Sequence, residues 1–255
     1  MRNSFKTLAI IPARMSSSRF PDKPLKKILG IPMLAHCYER ALLSQVCDKL
    51  VIATPDEEIM NWAKNHEIPA ILTSHHHERA TERAQETLDI LSKQGETYNF
   101  ILLLQGDEPQ IFPDDIKNLS DAFCGSELEI INLVYPIDGD DLNNPNVVKA
   151  IMTNTSKISF FTRSHVPNRS DKAMRQLGMI GFTLAALTQY INLQPSPLEE
   201  LESIDMMRLL ENDYEINAVI SSSPILGVDN PEDIAKAELM MAKDILLEIY
   251  QDKYL

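Results

Sequence analysis

Short apolar runs, each followed by a stripe of apolar residues at helical spacing, alternate along the chain almost from its first residue. Runs at residues 8–12, 50–53, 70–72, 100–104 and 130–134 have the length and composition of strands. Between them, Met33, Leu34, Cys37, Tyr38, Ala41 and Leu42 recur at the period of a helix, as do Ile59, Trp62 and Ala63. Thr87, Leu88 and Leu91 continue a further helix that opens after Thr81. This rhythm predicts βαβ units, an α/β sandwich and a largely parallel sheet. The run at 100–104 is the most uniformly apolar and is expected at its centre, because a strand covered on both faces has no polar side to show.

Pro113 with Asp114 and Asp115 suits the opening of a helix, where a proline loses no hydrogen bond and carboxylates favour the positive end of the dipole. From 136 to 167 the βα rhythm fails: turn-forming DGDDLNNPN leads into the alternation of Val147, Lys149 and Ile151, which predicts an excursion from a single domain. A helix around 198–210, a strand at 216–220 and a long final helix opening at Pro231, Glu232 and Asp233 complete the pattern.

Composition narrows the class. A chain of 255 residues with 44% hydrophobic residues can bury a full core, and its formal charge of −13 repels a nucleic-acid backbone. No run approaches the roughly 18 apolar residues of a membrane span, and the start MRNSFKTLAIIPAR is too briefly apolar for a signal peptide. Cys37, Cys47 and Cys124 are widely spaced and odd in number, which suggests neither a disulfide framework nor a thiolate zinc site. A soluble, cytoplasmic protein is expected, one that meets phosphates with locally placed cations.

Three segments can carry chemistry. In IPARMSSSRFPDKPL, directly after the first strand, Arg14, Arg19 and Lys23 surround the small Ser16, Ser17 and Ser18. Carboxyl ends of strands in α/β sheets bind ligands; here serines allow close backbone approach and three cations supply triphosphate charge. Neither GxxxxGK[ST] nor GxGxxG occurs, and the competing reading is a solvated basic turn. In LLLQGDEP the 100–104 strand runs out into Gln105, Gly106, Asp107 and Glu108, placing a carboxylate beside the same cleft. Magnesium takes one or two carboxylates together with phosphate oxygens, so Asp107 is the natural ligand and Gly106 leaves room for a nucleotide, against a plain acidic turn. In GVDNPEDI, Asp229 precedes a helix; alone it reads as part of an N-cap, and beside Asp107 as a second carboxylate for one metal. The consecutive His75, His76 and His77 point in different directions and read as a polar loop; no GxSxG marks a serine nucleophile, and Met206 and Met207 read as core.

Taken in order, these segments resemble the CMP-Kdo synthetases, the 3-deoxy-manno-octulosonate cytidylyltransferases. The resemblance rests on IPARMSSSRFPDKPL, the TER of RATER at 81–83, QGDEP at 105–109, NPNVVKA at 144–150, FFTRSHVP at 160–167, PSPLEELE at 195–202 and GVDNPEDI. It implies a nucleotide-diphospho-sugar transferase-like, Rossmann-like three-layer α/β sandwich. It also implies a homodimer whose β-rich excursion, 136–182, binds sugar and pairs subunits. The implied reaction is attack of the anomeric hydroxyl of a keto-deoxy sugar acid on the α-phosphorus of CTP, with magnesium and release of pyrophosphate, in the service of lipopolysaccharide or another surface glycan. By motif position Arg14, Arg19 and Lys23 hold the triphosphate, with Ala13, Ser16, Ser17 and Ser18 in the same loop. Arg83, Gln105 and Gly106 lie around the nucleotide, Asp107 and Asp229 bind magnesium, and Arg163, Gln176 and Asp205 face the sugar. Arg19, Lys23, Asp107 and Asp229 form the catalytic set.

Four departures stand out. Arg79 and Ala80 replace the family's Ser-Gly, which bears on backbone approach to the base or ribose and leaves base choice open, and Asp22 replaces a glycine of the phosphate loop. QLGMIGF at 176–182 replaces HIGIYAY, exchanging histidine for Gln176 and tyrosine for Ile180, and Met206 replaces the glutamine of LEQLR. A pocket that loses hydrogen-bonding groups rejects its original ligand strongly, so a modified acceptor is expected: a Kdo variant, a nonulosonate-like acid or another sugar. A nucleotidyltransferase using another base or sugar phosphate, and a catalytically silent binding paralogue, are the competing readings; the complete carboxylate and cation set counts against the latter.

Overall fold

The computed structural model describes residues 5–16 and 20–255. Strand β1 (Thr7–Pro12) leads to α1 (Met33–Leu43), β4 (Lys49–Thr54), α2 (Glu57–Asn65), β5 (Ala70–Leu72), α3 (Ala80–Lys93) and β6 (Phe100–Leu104), with the short hairpin β2 (Lys27–Ile28) and β3 (Ile31–Pro32) before α1. Then come α4 (Pro113–Phe123), β7 (Ile130–Asp138), β8 (Lys149–Met152), β9 (Lys157–Thr162), β10 (Lys172–Thr183) and α5 (Leu184–Asn192). The chain closes with α6 (Pro197–Glu202), α7 (Met206–Leu210), β11 (Ile216–Ile220), α8 (Pro231–Met241) and α9 (Ile245–Tyr250).

Among the described residues one nine-stranded sheet runs β5-β4-β1-β6-β10-β7-β11-β9-β8. Its alternation builds the three layers. Leu8 and Ile10 of β1 face α3, α5 and α7 through Leu88, Leu91, Leu187, Tyr190 and Met207. Ala9 and Ile11 face α1, α2 and α4 through Leu34, Ala41, Ile59, Ile116 and Phe123. Strand β6 is wholly buried and lies between β1 and β10, as its unbroken apolar run predicts.

The sheet is mixed rather than largely parallel. Strands β5, β4, β1 and β6 are parallel, as are β7 and β11, but β10 pairs antiparallel with β6, β7 and β8. The irregular stretch 136–167 contributes β8 and β9, which join the sheet beside β11. Two predicted helices are divided. The one at 198–210 breaks at Ser203, which takes a left-handed conformation with φ 54°, and the final helix is split into α8 and α9. Among the described residues no helix is long and apolar enough to cross a membrane.

Candidate active site

Strands β1 and β6 end side by side, and their carboxyl ends floor a cavity of about 380 Å³. The neighbouring ends are close enough to dictate Gly106: a Cβ there would stand 2.9 Å from the carbonyl oxygen of Pro12. Gly106 lines the cavity, but the contact that demands glycine is with the first strand rather than with a ligand.

The turn after β1 supplies Ala13, Arg14 and Ser16 to the cavity. It is pinned from both sides, since Met15 N–H donates to Asp56 Oδ2 at 2.8 Å and Asp22 N–H to the Met15 carbonyl at 3.2 Å. Asp22 has φ 57°, a left-handed conformation that glycine takes freely and that aspartate tolerates better than most residues. Ser17, Ser18 and Arg19 lie outside the described residues.

Lys23 joins the turn to the two acidic segments. Its ammonium donates to Asp107 Oδ2 at 2.7 Å and to the Val228 carbonyl at 3.0 Å, while Val228 N–H donates to the Asp107 carbonyl at 2.9 Å. Asp107 and Asp229 therefore line one cavity although 122 positions separate them in the chain. The Lys23 and Asp107 side chains are 14% and 32% exposed, so the pair is within a ligand's reach.

Arg83, one turn into α3, is buried and fixed by Thr73 Oγ1, the Ser74 carbonyl at 3.0 Å and the His77 carbonyl at 3.5 Å. Burial first, then the like charge of Arg14, lowers its pKa, so the two guanidiniums build a positive field over the same space. Gln105 is held by β10: its N–H donates to the Gly178 carbonyl at 2.9 Å, and a Cβ on Gly178 would fall 2.2 Å from Gln105 Cγ.

On the opposite rim, Asp205 accepts from Thr81 Oγ1 at 2.7 Å and lines the cavity with Ser203. Burial raises its carboxyl above the usual carboxylate range, against the pull of Thr81 and Arg79. Behind this rim Arg208 bonds both oxygens of Glu199, at 2.6 and 2.7 Å, and stacks over the Tyr190 ring 4.3 Å from its centroid.

Arg163 and Gln176 are not among the residues that line this cavity. Arg163 donates to the backbone carbonyls of Glu202 (2.8 Å), Pro145 (2.9 Å) and Ser203 (3.3 Å), bracing the loop that carries Ser203. Gln176 donates to buried Asn132 Oδ1 at 2.7 Å. Ile180 and Met206, where hydrogen-bonding residues were expected from the resemblance, are buried in the apolar core.

Three features escaped the sequence reading. His77 lines the cavity and pairs with Glu86 at 2.6 Å, although the histidine triplet reads as loop. Arg79, noted only as a departure, also lines it. Glu108 lies buried behind Asp107: one oxygen accepts from Gly178 N–H at 2.9 Å, and Oε2 has no partner among the described residues. Burial and the charges of Asp107 and Asp229 push its carboxyl up to about 7, against the pull of Arg175 and the Gly178 N–H.

Two carboxylates, a lysine bridging to one of them and a pair of arginines, gathered around the strand ends of a Rossmann-like sheet, are the equipment of a nucleotidyltransferase. The sequence profile of the cytidylyltransferase family matches residues 8–217. A 3-deoxy-manno-octulosonate cytidylyltransferase of a Nitratiruptor species is 38% identical over 90% of this chain and 97% of its own. That of Thermodesulfovibrio yellowstonii is 33% identical over 91% of this chain and 96% of its own. A solved CMP:2-keto-3-deoxy-manno-octonic acid synthetase complexed with CTP superposes with a TM-score of 0.85, at 29% identity, over 94% of this chain and all of the other. The chain belongs to the 3-deoxy-manno-octulosonate cytidylyltransferase family.

Proposed function

We propose that the protein is a magnesium-dependent cytidylyltransferase that activates a 3-deoxy-2-keto sugar acid, Kdo or a modified relative, giving the CMP-sugar and pyrophosphate. The observation that carries this reading is the convergence of Lys23, Asp107 and Asp229 on one cavity beside the turn after β1. Among the described residues no group of three or more His, Cys, Asp or Glu is arranged to hold a metal. Two carboxylates suit magnesium, which completes its shell with water and phosphate oxygens. Asp107 and Asp229 would hold the ion, which when bound would offset phosphate charge.

The remaining work falls to this chain's own groups. Arg14 and Lys23, with Arg19 by motif position, bind the triphosphate, and Lys23 can pass from Asp107 to a phosphate oxygen without leaving the cavity. Arg83 adds fixed positive charge, and Gln105, held against β10, orients the nucleotide. Positioning and charge stabilisation of this kind supply most of the acceleration in phosphoryl and nucleotidyl transfer.

Incubation with CTP, magnesium and Kdo or its amino variant, read by 31P NMR and mass spectrometry, should give equal amounts of pyrophosphate and a CMP-sugar. Inorganic phosphate and CDP as the products would overturn the reading. We further propose a cytoplasmic homodimer joined through 136–182 that feeds lipopolysaccharide or a related surface glycan. A sedimentation mass of one chain at micromolar concentration would sink the dimer.

A further inference from the structure

A keto-deoxy sugar acid brings a carboxylate that needs a cation, and the cationic residue among those assigned to the sugar by motif position, Arg163, is committed elsewhere. Arg163 holds three backbone carbonyls and does not line the cavity. Among the described residues the cavity's cations are Arg14, Lys23, Arg79 and Arg83. Lys23 is bound to Asp107, and Arg83 is fixed by Thr73, Ser74 and His77. Arg14 belongs to the phosphate turn.

Arg79 differs from all three. It is the N-cap residue of α3, against the rim that carries Ser203 and Asp205, with Nη1 3.5 Å from Ser203 Oγ and Nε 3.4 Å from Glu199 Oε1. Both contacts are long for hydrogen bonds. Glu199 is already neutralised, because Arg208 takes its two oxygens at 2.6 and 2.7 Å. Beyond the field of nearby Asp205, the Arg79 charge meets only these long contacts, and the side chain is 26% exposed where it lines the cavity.

We propose that Arg79 is the acceptor-specificity residue of this enzyme, its guanidinium binding the carboxylate of the sugar acid. Ser203 and Asp205, on the same rim, meet the sugar's hydroxyls. A planar guanidinium suits a carboxylate because two parallel N–H donors match its two oxygens. The inference rests on the cytidylyltransferase reading above.

The test is steady-state kinetics of wild type, Arg79→Ser and Arg79→Lys with the accepted sugar acid and its C1 amide, with CTP affinity measured separately by calorimetry. In Arg79→Ser the acceptor KM should rise roughly 10- to 100-fold while CTP affinity stays within about twofold. The wild-type preference for acid over amide should collapse in that variant, a change that a merely structural role would not produce. Arg79→Lys should restore part of the preference and guards against misfolding of the serine variant. An unchanged acid-to-amide ratio in an active Arg79→Ser protein, or a parallel loss of CTP affinity, overturns the assignment. A wild type that turns over no 3-deoxy-2-keto acid overturns the underlying reading, and this inference with it.

Discussion

At the scale of single residues, the site depends on opposite charges kept close but not sealed from water. Asp107 is paired with Lys23 yet a third exposed, and in the proposed mechanism it exchanges that protein cation for a metal. Asp107→Asn and Asp229→Asn should each keep the fold and the CTP-independent melting temperature, and lower turnover by about 100-fold or more. Turnover assays beside thermal melts check this, and normal turnover in both variants would remove the carboxylates from the mechanism. Gly178 acts one step behind the site. A methyl group there would meet Gln105 Cγ at 2.2 Å, so Gly178→Ala should displace Gln105, cost about 1–3 kcal/mol of stability and weaken CTP binding. Urea unfolding and calorimetry of that variant read both effects; unaltered CTP affinity would show that Gln105 does not touch the nucleotide.

That Ala13, Arg14, Ser16, Gln105, Gly106, Asp107 and Asp229 share one cavity was legible in the sequence, because strand ends in α/β sheets gather side chains at predictable places. Arg79 was not, because its partners, Ser203 and Glu199, lie 124 and 120 positions along the chain and only folding brings them together. Glu108 was hidden for another reason. A carboxylate next to a candidate ligand reads as solvent-facing, and its burial follows from its bond to Gly178 on the antiparallel β10.

At the scale of elements, two compact apolar runs were read accurately: Phe100–Leu104 is the wholly buried β6, and Ile216–Ile220 is the partly exposed β11, both with the predicted bounds. Strand β10 was missed because its first half is partly exposed, its second half buried, and its register shifts between Gln176 and Ile180, so no single period runs through it. The break between α6 and α7 was unreadable because Ser203 takes the left-handed conformation without a glycine to signal it. The junction of α1 with α9 carries a pH dependence. His36 is fully buried; its Nε2 lies 3.0 Å from the Ile28 carbonyl, which can only accept, so the proton sits there and Nδ1 accepts from Tyr250 Oη at 2.8 Å. Burial lowers its pKa from 6.5 to about 4, with the Arg40 charge acting in the same direction. The neutral ring is the stabilising form, so this contribution is complete above pH 6.5 and is lost as pH falls toward 4, where only the unfolded chain takes up the proton. Over that window wild type should lose about 3 kcal/mol relative to His36→Gln. Urea unfolding of both proteins at about pH 4.5 and about pH 7 measures it, and parallel pH profiles would contradict the buried neutral state.

At the scale of the whole molecule, a chain of formal charge −13 concentrates Arg14, Lys23, Arg79 and Arg83 around one cavity. An anionic nucleotide is thus repelled by most of the surface and drawn to a single place, which makes association sensitive to salt. In the proposed reading the cavity has a phosphate side, set by the turn after β1 and the carboxylates, and an acceptor side, set by Arg79, Ser203 and Asp205. The turn after β1 keeps the family's residues among those described, Asp22 excepted; of the other departures Arg79 and Ala80 line the cavity, whereas Gln176 is turned to Asn132 and Ile180 and Met206 lie in the core. The account therefore separates a retained type of reaction from an altered acceptor. The most direct measurement is pyrophosphate release with magnesium, comparing CTP with ATP, GTP and UTP across Kdo, amino-Kdo and nonulosonic acids. The account predicts that CTP and one keto-deoxy acid stand far above every other pair. Release with a different nucleotide, or with none, would contradict it.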